Sequence, residues 1–109
     1  MQLMCKIWLD HNGKAFGKGP YELLQRVEQT GSLSRAAAGM GMSYNKAWRL
    51  VRMLEERLGF ALLECRKGGD SGGGSEVTPR ARQLMQRYRD MGEELNAFVR
   101  QLNAKYFAD

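Results

Sequence analysis

The feature that most constrains the fold is an apolar seam close to the C-terminus. Ala81, Leu84, Tyr88, Met91, Leu95, Phe98 and Leu102 recur at alternating steps of three and four. That spacing marks one face of an α-helix, and Thr78-Pro79 supplies its start, because proline fits a first helical turn. A helix from Pro79 to Tyr106 would be about 42 Å long at ~1.5 Å per residue. A chain of 109 residues makes one domain of only about 30 Å. The seam therefore outruns its domain, and much of it must find cover outside its own chain. Arg82, Arg89, Glu93 and Arg100 fall largely off the seam, so an antiparallel second copy could cover both seams at once. Leu84, Tyr88, Met91, Leu95, Phe98 and Leu102 are the expected dimer contacts.

The rest of the chain divides into short elements. Leu3, Cys5, Ile7 and Leu9 alternate with Met4, Lys6 and Trp8, the period of a half-buried strand over 3–9. Asn12-Gly13 suits a tight hairpin turn, with 14–16 returning as a second strand. Gly17 to Pro20 breaks that pattern. A helix is expected from Pro20 to Thr30, closed by Gly31. Ser32 caps a compact run around Arg35-Ala36-Ala37-Ala38 that stops at Gly39-Met40-Gly41. Ser43 caps a third helix, Tyr44 to Leu58, with Gly59 beyond its end. On that helix Ala47, Val51, Leu54 and Leu58 form an apolar stripe, while Asn45, Arg49, Arg52 and Glu56 lie opposite. Phe60–Glu64 and Glu76–Thr78 read as two paired strands. The intervening run from Arg66 to Ser75 is too glycine-rich for a packed element. Three short helices followed by a hairpin describe a winged helix-turn-helix, mainly α with a small β component. Residues 1–78 form the DNA-binding unit, and 79–109 form the dimerisation helix of the same structural domain.

Charge and composition narrow the partner. The net charge is +5 and the pI is near 9.5, which favours a polyanion. From Ser32 to Leu58 there are five Lys or Arg against two Glu, so the third helix and its surroundings are locally basic. A helix N-terminus aims N–H groups at phosphate; Asn can read adenine, and Arg can read guanine or clamp phosphate. The same pattern also suits an ordinary solvated helix face. No apolar run approaches the ~20 residues of a membrane span, and no signal-peptide core is visible. A soluble, cytoplasmic, reduced protein is expected.

Several chemistries find no support. One histidine, His11, and two distant cysteines, Cys5 and Cys65, match no metal-ligand or disulfide spacing. The cysteines read as buried small hydrophobes, and His11 as exposed at a turn. The methionines read as gap-fillers, and Tyr44 with Trp48 as a packed aromatic pair. The glycine loop lacks the Gly-Lys-Ser/Thr ending of a phosphate-binding loop and precedes a strand; a mobile wing tip close to the DNA backbone is its expected role. No nucleophile, base and orienting group can be assembled. Neither an enzyme activity, a cofactor nor a metal is expected.

The runs Gly31-Ser32-Leu33-Ser34-Arg35-Ala36-Ala37 and Gly41-Met42-Ser43-Tyr44-Asn45-Lys46-Ala47-Trp48 resemble the N-terminal DNA-binding domain of the molybdate-responsive ModE regulators. The glycine-rich segment before Val77-Thr78 resembles that family's wing. Leu54-Glu55-Glu56-Arg57-Leu58-Gly59 resembles the wider LysR-type winged helix. The resemblance implies that Ser34, Arg35, Ser43, Tyr44, Asn45, Lys46, Arg49, Arg66 and Lys67 face DNA; Arg52 extends the same outer face. It also implies a homodimer on an inverted-repeat site. Cys65 departs from the arginine more common there. Nothing in these 109 residues maps onto a molybdate pocket, so molybdate binding by this chain is not expected. The alternatives are mixed dimers with a longer regulator, or an adaptor that binds protein instead of DNA.

Overall fold

A computed structural model describes residues 1–69 and 72–108; the side chains of residues 67–69, 72 and 73 are outside that description. The element order is β1 (Trp8–Asp10), β2 (Lys14–Gly17), α1 (Lys18–Thr30), α2 (Leu33–Gly39), α3 (Tyr44–Leu58), β3 (Leu63–Gly69), β4 (Gly72–Val77) and α4 (Pro79–Phe107). β1 pairs with β2, and β3 with β4, as two separate antiparallel hairpins.

Local chemistry sets most of the boundaries. Asn12 and Gly13 both take positive φ, 58° and 117°, as their turn demands. The Oγ atoms of Ser32 and Ser43 and the Oγ1 of Thr78 accept hydrogen bonds from the amides of Arg35, Lys46 and Ala81, each at 3.1 Å. Each cap thereby satisfies an N–H that its helix leaves unpaired. Gly31 and Gly59 end α1 and α3 in the left-handed region at φ 70° and 83°. Such a φ is costly for any residue with a Cβ.

Three expected boundaries moved. The first strand is only Trp8–Asp10, and residues 1–6 lie exposed outside the sheet. Those residues run beside α4 instead, where Leu3 exchanges two hydrogen bonds with the Asn103 amide (2.7 and 3.1 Å). Helix α1 starts at Lys18, two residues before Pro20. Proline is tolerated there because the first-turn N–H groups have no intrahelical partner anyway. β3 starts at Leu63, three residues after the expected Phe60, and β3 and β4 then run further into the glycine segment, with Arg66 opposite Gly74 and Gly69 opposite Gly72, across a register shift. A ladder is made by backbone groups, so glycines can extend it without side chains to pack.

The core joins every layer. Leu23, Leu24 and Val27 of α1, Leu33, Ala36 and Ala37 of α2, and Ala47, Val51 and Leu54 of α3 are buried. Phe16, Leu62, Val77, Ala81 and Met85 close the cluster. The stripe read from α3 is thus the buried one, with Leu58 half-buried at its end. Met85 has no place in the α4 seam read from the sequence, yet it is only 2% exposed. Tyr88 meets Phe16 edge-on at 5.4 Å and Tyr21 at 5.5 Å, and Leu84 packs beside it. Beyond Tyr88 the core stops. Helix α4 has 29 residues, about 43 Å, and it gives the molecule a 59 Å long axis against 27 and 22 Å.

Both cysteines are exposed, contrary to the expectation of burial. Cys5 lies on the N-terminal segment outside the sheet, and Cys65 on the wing, which is covered only in part. His11 is exposed at its turn. Among the described residues no helix is long and apolar enough to cross a membrane, and no cluster of metal-ligating side chains occurs.

Candidate nucleic-acid interface

Helix α3 turns its apolar stripe into the core, which forces its other face outward. Tyr44 and Trp48 are 51% and 44% exposed, and Asn45, Lys46, Arg49 and Arg52 are exposed around them. Ser43, itself exposed, holds the helix start through its bond to the Lys46 amide. No acidic residue occupies the first turn, so the positive end of the helix dipole is uncompensated. Ser34 and Arg35 are exposed on α2, the helix packed against α3. Helices α2 and α3 therefore present one polar, basic surface. Among the described residues, Arg35, Lys46 and Arg49 enter no ion pair.

Arg52 is engaged within the chain. Its guanidinium meets Glu55 at 2.9 Å and lies 5.2 Å from the Trp48 ring centroid. Glu55 in turn accepts hydrogen bonds from the Leu62 and Leu63 amides, at 2.7 and 3.3 Å. A side chain of the third helix thus holds the start of the wing. Only the string Leu54-Glu55-Glu56 hinted at this, and polarity alone would have placed Glu55 in solvent. Trp48 pairs with Arg52 and not with Tyr44 as expected. A cation over an indole face is a favourable electrostatic contact, and the two aromatic side chains are left to solvent.

Arg66, on β3, lies beside Gly31 and Gly74, at the junction of the wing with the α1–α2 turn. The side chain of Lys67 and the wing tip at residues 70–71 lie outside the described residues. The wing is fastened at its base as well. Thr78 Oγ1 donates to the Ala61 carbonyl at 2.7 Å, and the Thr78 amide donates to the Leu62 carbonyl at 3.0 Å. Arg80 stacks on Phe60 at 4.4 Å.

The expected dimer contacts fall into two groups. Leu84 and Tyr88 pack on the chain's own core. Leu95 and Leu102 are half-buried, while Met91 and Phe98 are 37% and 55% exposed. Tyr106 and Phe107, at 62% and 40%, add apolar surface at the far end that the seam did not include.

Three helices with a capped, exposed third helix, followed by a hairpin packed at their side, define a winged helix-turn-helix protein. Residues 21–82 match the lysR family of bacterial regulatory helix-turn-helix proteins, and the chain belongs to that family. The molybdenum transport protein ModE of Herbaspirillum seropedicae is 39% identical over 71 residues, 65% of this chain and 26% of that protein. The molybdenum-pterin-binding protein MopB of Rhodobacter capsulatus is 31% identical over 87% of this chain and 37% of its own length. The DNA-binding transcriptional dual regulator ModE of Escherichia coli is 33% identical over 61% of this chain and 25% of its length. The chain thus spans between a quarter and two fifths of these curated relatives. Among solved structures, the CbnR DBD–DNA complex superposes with a TM-score of 0.57 at 22% identity, over 78% of this chain and 92% of that one. Vibrio fischeri DarR in complex with DNA gives 0.55 at 19% identity, over 76% of this chain and 27% of that one. At those identities the superpositions establish the fold.

Proposed function

We propose that this chain is a sequence-specific DNA-binding transcriptional regulator that acts as a homodimer on an approximate inverted repeat. The observation that carries the reading is the basic outer face of α3, where Lys46 and Arg49 enter no ion pair among the described residues, beside Arg35 of α2. The N-terminal turn of α3 enters the major groove, where Asn45, Lys46 and Arg49 read base edges and Tyr44 lies alongside. Ser34, Arg35 and Ser43 fix the register on phosphate, together with Lys67 of the wing. Two copies joined along the far half of α4 set the spacing between recognition helices, so the operator repeats the symmetry of the dimer. The relatives named for molybdenum transport make molybdenum-related genes the first place to look for such operators.

Electrophoretic retardation on genomic fragments at two salt concentrations tests this. Selective retention that weakens with salt supports the reading. On the best fragment, Asn45→Ala or Arg49→Ala costs about 1–3 kcal/mol and relaxes preference at particular base pairs. Arg35→Ala weakens all fragments alike and flattens the salt dependence. Retention of no fragment at low salt favours a protein-binding adaptor and overturns the reading.

A further inference from the structure

The glycine-rich wing invites a reading of pure flexibility, but its base is docked. The Ser75 amide donates to the Gly31 carbonyl at 2.9 Å, which joins β4 to the turn between α1 and α2. Gly74 sits so close to that turn that an added Cβ would stand 2.5 Å from the Gly31 oxygen, a backbone atom with no freedom to swing aside. Arg66 faces Gly74 across the ladder. With no side chain opposite, its guanidinium reaches across to both glycines. A Cβ on Gly74 would meet its Nη2 at 3.3 Å, and one on Gly31 would run into the same nitrogen. The charge also sits where α1 ends, the negative pole of that helix. Alongside, Arg82 of α4 bridges Glu28 of α1 and Glu76 of β4, at 3.3 and 3.7 Å.

We propose that Arg66 is a positioning residue that holds the wing on the α1–α2 turn, and that Gly74 is a glycine because the docked turn leaves no room for a Cβ. The docked wing keeps a fixed angle to α3, so Arg66 acts on DNA through the wing and not by touching phosphate. Only this last step rests on the DNA-binding reading given above. The docking itself can be tested without DNA.

Amide exchange of Ser75 in the free protein reads the docking directly. Arg66→Ala should accelerate it by about tenfold, while amides in the middle of α3 keep their protection. Arg66→Lys should exchange as fast as Arg66→Ala, because a point charge cannot replace a planar group that reaches both glycines. Gly74→Ala should match both, with helix content by circular dichroism reporting that the domain is folded. An unchanged Ser75 rate in Arg66→Ala, or full protection restored by lysine, overturns the docking role. With DNA, Arg66→Ala should weaken the best site by about tenfold at unchanged salt slope, whereas loss of a phosphate contact lowers that slope by about 0.9. A lowered slope overturns the indirect role. If the unmodified chain binds no DNA at any salt, the DNA reading fails while the Ser75 exchange still decides the docking.

Discussion

Helices α3 and α4 start alike and end differently. Each opens on a hydroxyl cap, and each carries an apolar stripe at helical spacing. On α3 the chain's own core covers that stripe, with Ala47, Val51 and Leu54 all buried. On α4 the core covers Ala81, Leu84, Met85 and Tyr88 and then runs out. The periodicity continues through Met91, Leu95, Phe98 and Leu102, and Met91 and Phe98 stand well exposed. A periodic apolar face states that something must cover it; what covers it depends on how far the domain reaches.

The sharpest way to break this contrast is Leu95→Glu. A charge in the far half of α4 meets its symmetry-related copy in a dimer, so the variant is expected to lose self-association altogether and to lose operator binding. Its monomer should still melt cooperatively, since the core lies elsewhere, but without the concentration dependence that association gives the unmodified chain. Analytical ultracentrifugation decides it, and an unmodified chain that sediments as a monomer at tens of micromolar removes the dimer.

Leu54→Ala probes the other helix. Leu54 is 3% exposed, and deleting its methyl groups costs about 2–5 kcal/mol of folding stability. Denaturant melts should show that loss at every protein concentration, whereas Phe98→Ala should change only the concentration dependence. Equal behaviour of the two variants would erase the distinction between the helices.

A smaller effect is expected at the α3 cap. Ser43→Ala removes the bond to the Lys46 amide and should cost about 1 kcal/mol. Glycine at 43 should cost only a few tenths of a kcal/mol, which tells capping from a lost phosphate contact.

The smallest effect lies where α4 leaves the core. Burial raises the Tyr88 phenol above its ordinary 10.0, because the ionised form is the one desolvation penalises. The folded state therefore favours the protonated phenol. That stability is present below the unfolded value and is lost as pH rises through the folded one. Tyr88→Phe should flatten the alkaline loss of stability while sacrificing the bond to the Ile7 carbonyl at 3.3 Å. An unaltered alkaline profile would assign the loss to other groups.

Much of this was legible in the residues alone. Caps, glycine stops and the Asn12-Gly13 turn act within a few residues, so α2, α3 and the first hairpin turn could be placed from local chemistry. The wing was legible as a break and not as a ladder. Glycines carry no side-chain pattern, while the bonds that pair β3 with β4 belong to a backbone that every sequence shares. The outer face of α3 was found because its inner face is apolar. The engagement of Arg52 with Glu55, and of Glu55 with the Leu62 and Leu63 amides, was hidden because it links positions that periodicity treats as separate.

The sequence by itself determined the helices, their caps, the exposed basic turn of α3 and the excess length of α4, because each follows from residues a turn or less apart. Only the tertiary structure decided which arginines are free and which are held. Arg49 and Arg52 share one outer face, yet Arg52 bends to Glu55. Arg66 stands on the wing, yet its guanidinium sits beside two glycines, one of them 35 positions earlier in the chain. An arginine is long and flexible enough to serve solvent, phosphate or a neighbour. Which of these it serves depends on what the fold brings within its reach, and no local pattern encodes that.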